Sequence, residues 1–230
     1  MRDESASRNP DILPVPRSKM EAKRLYNRLS RFYDCLTSTF ERKHTETGLV
    51  CLSVGEGEIV LEIGFGTGHC LRKMAISVGK TGKAYGVDIS SAMLKVTRKK
   101  LVKANLINRV ELCHADAGNL PYVDNAFDAV FMSYTLELFD TPEIPIVLQE
   151  VKRVLKPGGR LGVVSMSKEN GESRMVRLYQ WAHRKWPKYL DCRPIYVEQS
   201  MREAGYKIVC KDRLRLFGLP GEIVVGVRTS

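Results

Sequence analysis

Residues 59–68, Ile-Val-Leu-Glu-Ile-Gly-Phe-Gly-Thr-Gly, constrain what this chain can fold into more than any other stretch. The apolar run 59–63 passes into three glycines at alternate positions, Gly64, Gly66 and Gly68, and residues 71–76 then read as helix. A buried strand turning tightly into a helix places glycine where the backbone takes unusual dihedrals or approaches a ligand closely. Loops of this kind, at the carboxyl edge of a parallel sheet, are where doubly wound α/β folds bind ligands. At 230 residues the chain can hold one such domain with a full core and is short for two.

The glycine pattern alone does not name the ligand, because dinucleotide-binding folds use G-x-G-x-x-G. Here the third glycine follows the second by two residues, and Glu62 stands two before the first. That compressed loop resembles motif I, E-x-G-x-G-x-G, of the class I S-adenosylmethionine (SAM) methyltransferases. The resemblance implies SAM as cofactor, held by Glu62, Gly64, Gly66 and Gly68. Residues 83–90 form the second strand, with Asp88 at its carboxyl end. An acidic group there can accept from both hydroxyls of a bound ribose, and Ile89 counts with it as a cofactor contact. Ser90 is a natural N-cap for a helix over 91–104.

Further along, residues 115–122, A-D-A-G-N-L-P-Y, resemble the family's G-D-A-x-x-L-P-F stretch. This implies that Asp116 accepts from the adenine amine and that Ala117 offers its backbone N–H. His114, before them, reads as an inward-facing structural residue. The F-D-x-V start at Phe127 marks the fourth strand, which would bring Ser133, Tyr134 and Thr135 against the transferred methyl group. Many small-molecule members continue with Glu-His, whereas this chain has Glu137 followed by Leu138. The most familiar general base is thereby removed, leaving Tyr33, Tyr134 and Glu137 as catalytic candidates. The N/D-P-P-Y/F tetrad of amine-directed nucleic-acid methyltransferases is also absent. Residues 150–161, E-V-K-R-V-L-K-P-G-G-R-L, are close to a family signature in which Pro157 and Gly158 stop the 142–155 helix and turn the chain into a fifth strand.

The flanks are less standard. Residues 1–18 read as a disordered leader, and 20–40 as a helix. Residues 26–34 resemble the Y-D-x-x-A-x-x-Y-D segment that precedes motif I in ubiquinone/menaquinone-type and phospholipid N-methyltransferases, with Asn27 and Ser30 departing from it. The resemblance implies a lid whose Tyr26 and Tyr33 touch the cofactor, although an amphipathic helix packed on the domain explains the periodicity equally well. Residues 172–186 read as a basic amphipathic helix inside an insertion at about 168–193, where the family builds its substrate cover. Such a helix either caps its own domain or lies on a membrane surface. A helix from 191–195 to 205, with Pro194 in its first turn, and a hairpin of 206–216 with 222–227 complete the chain. The expected fold is a Rossmann-like α/β domain over 19–230, with seven strands in the order 3-2-1-4-5-7-6, an antiparallel last hairpin and helices on both faces.

Composition narrows the function. The formal charge is +11, and residues 165–230 carry 13 Lys/Arg against 7 Asp/Glu, so the basic excess lies mostly in a flank that would attract phosphates. No apolar run reaches the ~18 residues needed to span a membrane. The six cysteines (35, 51, 70, 113, 192 and 210) show neither a C-x-x-C pair nor metal-ligand spacing, and read as reduced thiols with no metal. None of the nine tyrosines has Lys four residues later, which excludes a short-chain dehydrogenase. No basic platform interleaved with aromatics points to nucleic acid. The expectation is a cytoplasmic SAM-dependent methyltransferase, with peripheral membrane contact as one option, acting by in-line transfer on a small lipophilic acceptor of quinone or prenyl type. The alternatives are phosphatidylethanolamine N-methylation at a membrane surface and a non-catalytic SAM-binding regulator. The acceptor, the atom methylated and the oligomeric state stay open.

Overall fold

The computed structural model describes residues 39–168, 193–216 and 219–229, together with Ile12 and Glu21. The leader apart from Ile12, almost all of the 20–40 helix with Tyr26 and Tyr33, the 172–186 helix of the cover, and Cys35 and Cys192 lie outside the described residues. Ile12 packs against the core.

Seven strands make one sheet in the order β3-β2-β1-β4-β5-β7-β6, as the sequence predicts. β1 (Ile59–Ile63), β2 (Lys83–Asp88), β3 (Val110–His114), β4 (Phe127–Ser133) and β5 (Leu155–Met166) are parallel. β7 (Leu219–Arg228) runs antiparallel to β5 and to β6 (Tyr206–Leu216). The central strands read as continuous apolar runs because both of their faces are covered. Val60, Ala129, Phe131 and Val164 point to a layer made of α1 (Thr39–Leu52), α2 (His69–Ser77) and α3 (Ser91–Lys103). Leu61, Val130, Met132 and Val163 point to the opposite layer, with α4 (Ile144–Val154) and α5 (Val197–Glu203).

Several local rules hold. The Ser90 side chain accepts from Met93 N at 3.2 Å and caps α3. Asp140 and Glu143 form a capping box on the short turn leading into α4. Arg160 of β5 grips Glu58 in a bidentate pair (2.9 and 2.8 Å) and also donates to the Ser53 carbonyl at 2.6 Å, tying the end of α1 to the sheet.

Other expectations are corrected. α1 continues to Leu52, where the sequence reading assigned no element beyond residue 40. Gly48 lets it lie close to the sheet, since a Cβ there would stand 2.4 Å from Val164 Cγ2. Pro157 and Gly158 lie within β5, which begins at Leu155; Lys156, preceding a proline, is biased toward extended backbone and so resumes a strand at once. α5 starts at Val197, because Ile195 is engaged in a parallel bridge to Ser167 and Pro194 lies ahead of the helix. β7 starts at Leu219 and includes Pro220, whose carbonyl accepts from Ser167 N at 2.9 Å. His114 is exposed, with Nε2 2.9 Å from the Ile89 carbonyl, so it braces neighbouring strand ends from outside the core.

β6 carries a bulge between Ile208 and Cys210. Tyr206 and Ile208 face the α4–α5 layer, and the extra residue flips Cys210 onto the α1 face. There its thiol hydrogen-bonds with that of Cys51. All four described cysteines are free.

Candidate functional site: the glycine loop and its cleft

Gly64, Gly66 and Gly68 take φ of 73°, 50° and 79°, the left-handed region that favours glycine. Added Cβ atoms would stand 2.4 Å from Thr135 Oγ1 at Gly64 and 2.5 Å from Thr97 Cγ2 at Gly68. The loop is held on both sides. Gly66 N donates to Asp88 Oδ2 at 2.9 Å, and the Gly66 carbonyl accepts from the Thr97 hydroxyl at 2.8 Å. Thr97, fully buried on α3, is a loop anchor that the sequence reading missed. α2 begins after Gly68 with no side-chain cap, so its N-terminal dipole faces the loop unshielded.

Beside the loop opens a cleft of about 550 Å³, lined by Glu62, the loop backbone, Arg42 and Thr45 of α1, and Ser133 and Tyr134 at the end of β4. That volume is of the size small-molecule sites use. Arg72, Lys100 and Lys103 lie along its outer rim. Glu62 is 2 % exposed. Burial lifts its pKa well above the usual carboxylate range, against hydrogen bonds from the Cys70 thiol and the Leu71 amide. Its Oε2 has no hydrogen-bond partner among the described residues. Ser133 Oγ and Thr45 Oγ1 share a hydrogen bond of 2.9 Å, and Tyr134 Oη lies 3.2 Å from His44 Nδ1. His44, Thr45 and Arg42 escaped the sequence reading because no helix was assigned to them; the spacing of Thr45, Gly48 and Leu52 along one face was the available signal.

Asp88 is nine-tenths buried, accepting from Gly66 N and, through Oδ1, from Ser90 N at 2.8 Å. Burial pushes its pKa up to about 6, with the two amides pulling the other way. Asp116 turns back on its own loop, Oδ1 accepting from Gly118 N at 2.9 Å, and Ala117 is buried. Asp88, Ile89, Asp116 and Ala117 lie outside the cleft lining, at the adjoining ends of β2 and β3. Glu137 stands apart from the cleft: it is 0 % exposed, and neither of its oxygens makes a good hydrogen bond among the described residues. Burial pushes its pKa up to about 7, with Ser165, Met166 and the buried Arg193 nearby as partial compensation. Arg193 donates to Thr141 Oγ1 at 3.0 Å and to the Phe139 carbonyl.

Residues 60–159 match the methyltransferase domain family. Those residues thus form a methyltransferase domain, set on a sheet with the strand order expected of the class I fold. Curated relatives include the ubiquinone/menaquinone biosynthesis C-methyltransferases of Escherichia fergusonii and Salmonella arizonae, each 42 % identical over 118 residues, 51 % of this chain and 46 % of theirs. The chain thus spans about half the length of the curated relatives it matches. Among solved structures, a SAM-dependent methyltransferase from Aquifex aeolicus is similar with a TM-score of 0.62 at 23 % identity, over 93 % of this chain and all of that one. The cyclase SpnF is similar with a TM-score of 0.74 at 18 % identity, over 94 % of this chain and 98 % of its own. At these identities the likeness concerns the fold, and a cyclase on the same scaffold illustrates that fold alone does not fix the reaction.

The methyltransferase domain's residues suit its cofactor. Bound there, SAM would find the partnerless oxygen of Glu62 for its ammonium and Arg42 for its carboxylate, with the Asp88 carboxylate at the end of β2 for its ribose diol. The absence of side chains at Gly64 and Gly68 lets the loop pack against Thr135 and Thr97 beside the cleft. Among the described residues no cluster of His, Cys, Asp or Glu could hold a metal, and no helix is long and apolar enough to cross a membrane.

Proposed function

We propose that this chain transfers the methyl group of SAM to a small lipophilic acceptor of quinol or prenyl type. The observation that carries the reading is the 42 % identity, across the cofactor half of the domain, with enzymes named as C-methyltransferases of quinone biosynthesis. Glu62 and the glycine loop hold the amino-acid end of SAM in this reading. Asp88 keeps lone pairs for the ribose hydroxyls after accepting two amides, and Ile89 packs beside it. Asp116 and the Ala117 amide take the adenine edge, and Ser133 faces the reacting end. SAM supplies an already activated methyl group, so the chain's contribution is mainly proximity and alignment of the acceptor. A basic surface beside the site is compatible with work at an anionic membrane face.

Methyl transfer from radiolabelled SAM into a total lipid extract, with total RNA in a parallel tube, tests this. Label in a neutral, quinone-like fraction is expected. Label running with phospholipid would replace the acceptor with an aminophospholipid, and label in RNA would overturn the lipophilic reading.

A further inference from the structure

Tyr134 has φ +50°, an uncommon conformation for a bulky side chain. Outliers of this kind concentrate where a side chain is aimed for function. Along β4 the alternation sends Phe131 to the α1 face and Met132 to the α4 face. Ser133 then meets Thr45 of α1, so Tyr134 would continue toward α4. The left-handed turn cancels that alternation. The Tyr134 ring packs on the α1 side, lines the cleft, and brings its hydroxyl 3.2 Å from His44 Nδ1. Its own amide is fixed to the Val164 carbonyl at 2.7 Å, so the turn is held from the sheet.

His44 is half-buried on α1. Burial first, then the charge of Lys43, lower its pKa below the ordinary imidazole value. This favours the neutral imidazole, which can accept a proton at Nδ1 when Nε2 carries the hydrogen. The charged groups around it are Lys43 and Arg42 on its own helix and, two residues on, Glu46, which is engaged by Lys73 at 2.9 Å and His69 at 3.5 Å from α2.

We propose that Tyr134 and His44 form a proton relay that serves the methyl acceptor, an inference that rests on the methyl-transfer reading above. The acceptor's X–H proton passes to Tyr134 Oη while the tyrosine's own proton passes to His44 Nδ1. The acceptor gains the methyl in place of that proton, the sulfonium becomes a neutral thioether, and the positive charge ends on His44, which releases its proton to solvent. Tyr134 is then the catalytic residue, and His44 the positioning residue that acts through it.

The test uses the full chain labelled with ¹⁵N-histidine. NMR titration should show His44 titrating below 6.5, with Nδ1 unprotonated in the neutral form, and Tyr134→Phe should shift that titration. An unmoved titration, or a protonated Nδ1, would overturn the relay whatever the acceptor is. In the lipid-extract assay, Tyr134→Phe should lower kcat about 100-fold, within the range for general acid–base catalysis, at unchanged SAM affinity by calorimetry. His44→Ala should be rescued by added imidazole. Full activity in both variants would also overturn the proposal. Wild-type protein that labels no fraction, with the expected His44 titration, would count against the acceptor reading while the NMR result upholds the pair.

Discussion

Gly66 donates its amide to one oxygen of Asp88 while Ser90 N occupies the other, so a single carboxylate fixes the glycine loop and the start of α3 together. Burial sets the Asp88 pKa at about 6. Ribose hydroxyls donate to the ionised form, so SAM should bind best above that value. Its affinity should fall toward tenfold per pH unit as the pH drops below about 6. Asp88→Asn should flatten this dependence and cost about 1.5–3 kcal/mol of SAM binding at pH 7.5. Calorimetry across pH 5 to 8 checks both, and a pH-independent wild type would remove Asp88 from the ribose site.

Gly64 and Gly158 separate two sources of strain. Both have positive φ, 73° and 76°, but an added Cβ meets Thr135 at 2.4 Å in the first case and nothing within 4 Å in the second. Gly158→Ala should cost only the left-handed backbone penalty, about 1–2 kcal/mol. Gly64→Ala should cost more, up to about 3 kcal/mol. It should also weaken SAM binding, because Thr135 donates to the Ser133 carbonyl at 2.9 Å. Denaturant midpoints of the two variants give the comparison.

Glu137 should make the protein sensitive to alkali. Its folded pKa of about 7 lies above the unfolded value, so the folded state holds the proton more tightly. Stability from this group is complete below about pH 4 and is lost as the pH rises through 7, by on the order of 2–4 kcal/mol. Glu137→Gln should keep the shape and lose the dependence, gaining on wild type at pH 8 relative to pH 5. Parallel unfolding curves for the two proteins at both pH values would count against the buried acid.

Cys51 should alkylate slowly. Burial first, then the Cys210 thiol and Asp212, push its pKa up to about 11, and the thiolate is the reactive form. Peptide-level mass spectrometry after iodoacetamide treatment at pH 7.5 should find Cys51 largely unmodified, and Cys210→Ala should speed its reaction.

The strand order and the glycine loop were legible because each follows from short-range rules: an apolar run, a glycine spacing, an acidic residue closing a strand. The Ser90 cap was legible for the same reason. α1 was not, since it reaches the sheet through Gly48 and Thr45, small or polar residues that apolar periodicity does not count. Arg193 was missed because arginine is read as surface, whereas here it is fully buried by partners some fifty residues earlier. The face switch at Cys210 depends on a bulge, which belongs to the pairing of two strands and to neither sequence alone. Glu137 was expected near the chemistry from its place after β4, and the turn over Leu136–Leu138 carries it inward instead.

The bridge between Ser167 and Ile195 joins the chain leaving β5 to the chain that returns ahead of α5. Ile195 N donates to the Met166 carbonyl at 3.2 Å and Lys168 N to the Ile195 carbonyl at 3.1 Å, so the chain departs and returns through one gate. A segment rooted in this way can be lengthened, shortened or exchanged at a closure cost that grows only with the logarithm of its length, while every strand register stays as it is. Length variation and foldability are thereby uncoupled: a lineage could insert or delete residues between Lys168 and Arg193 and inherit the same seven-stranded sheet.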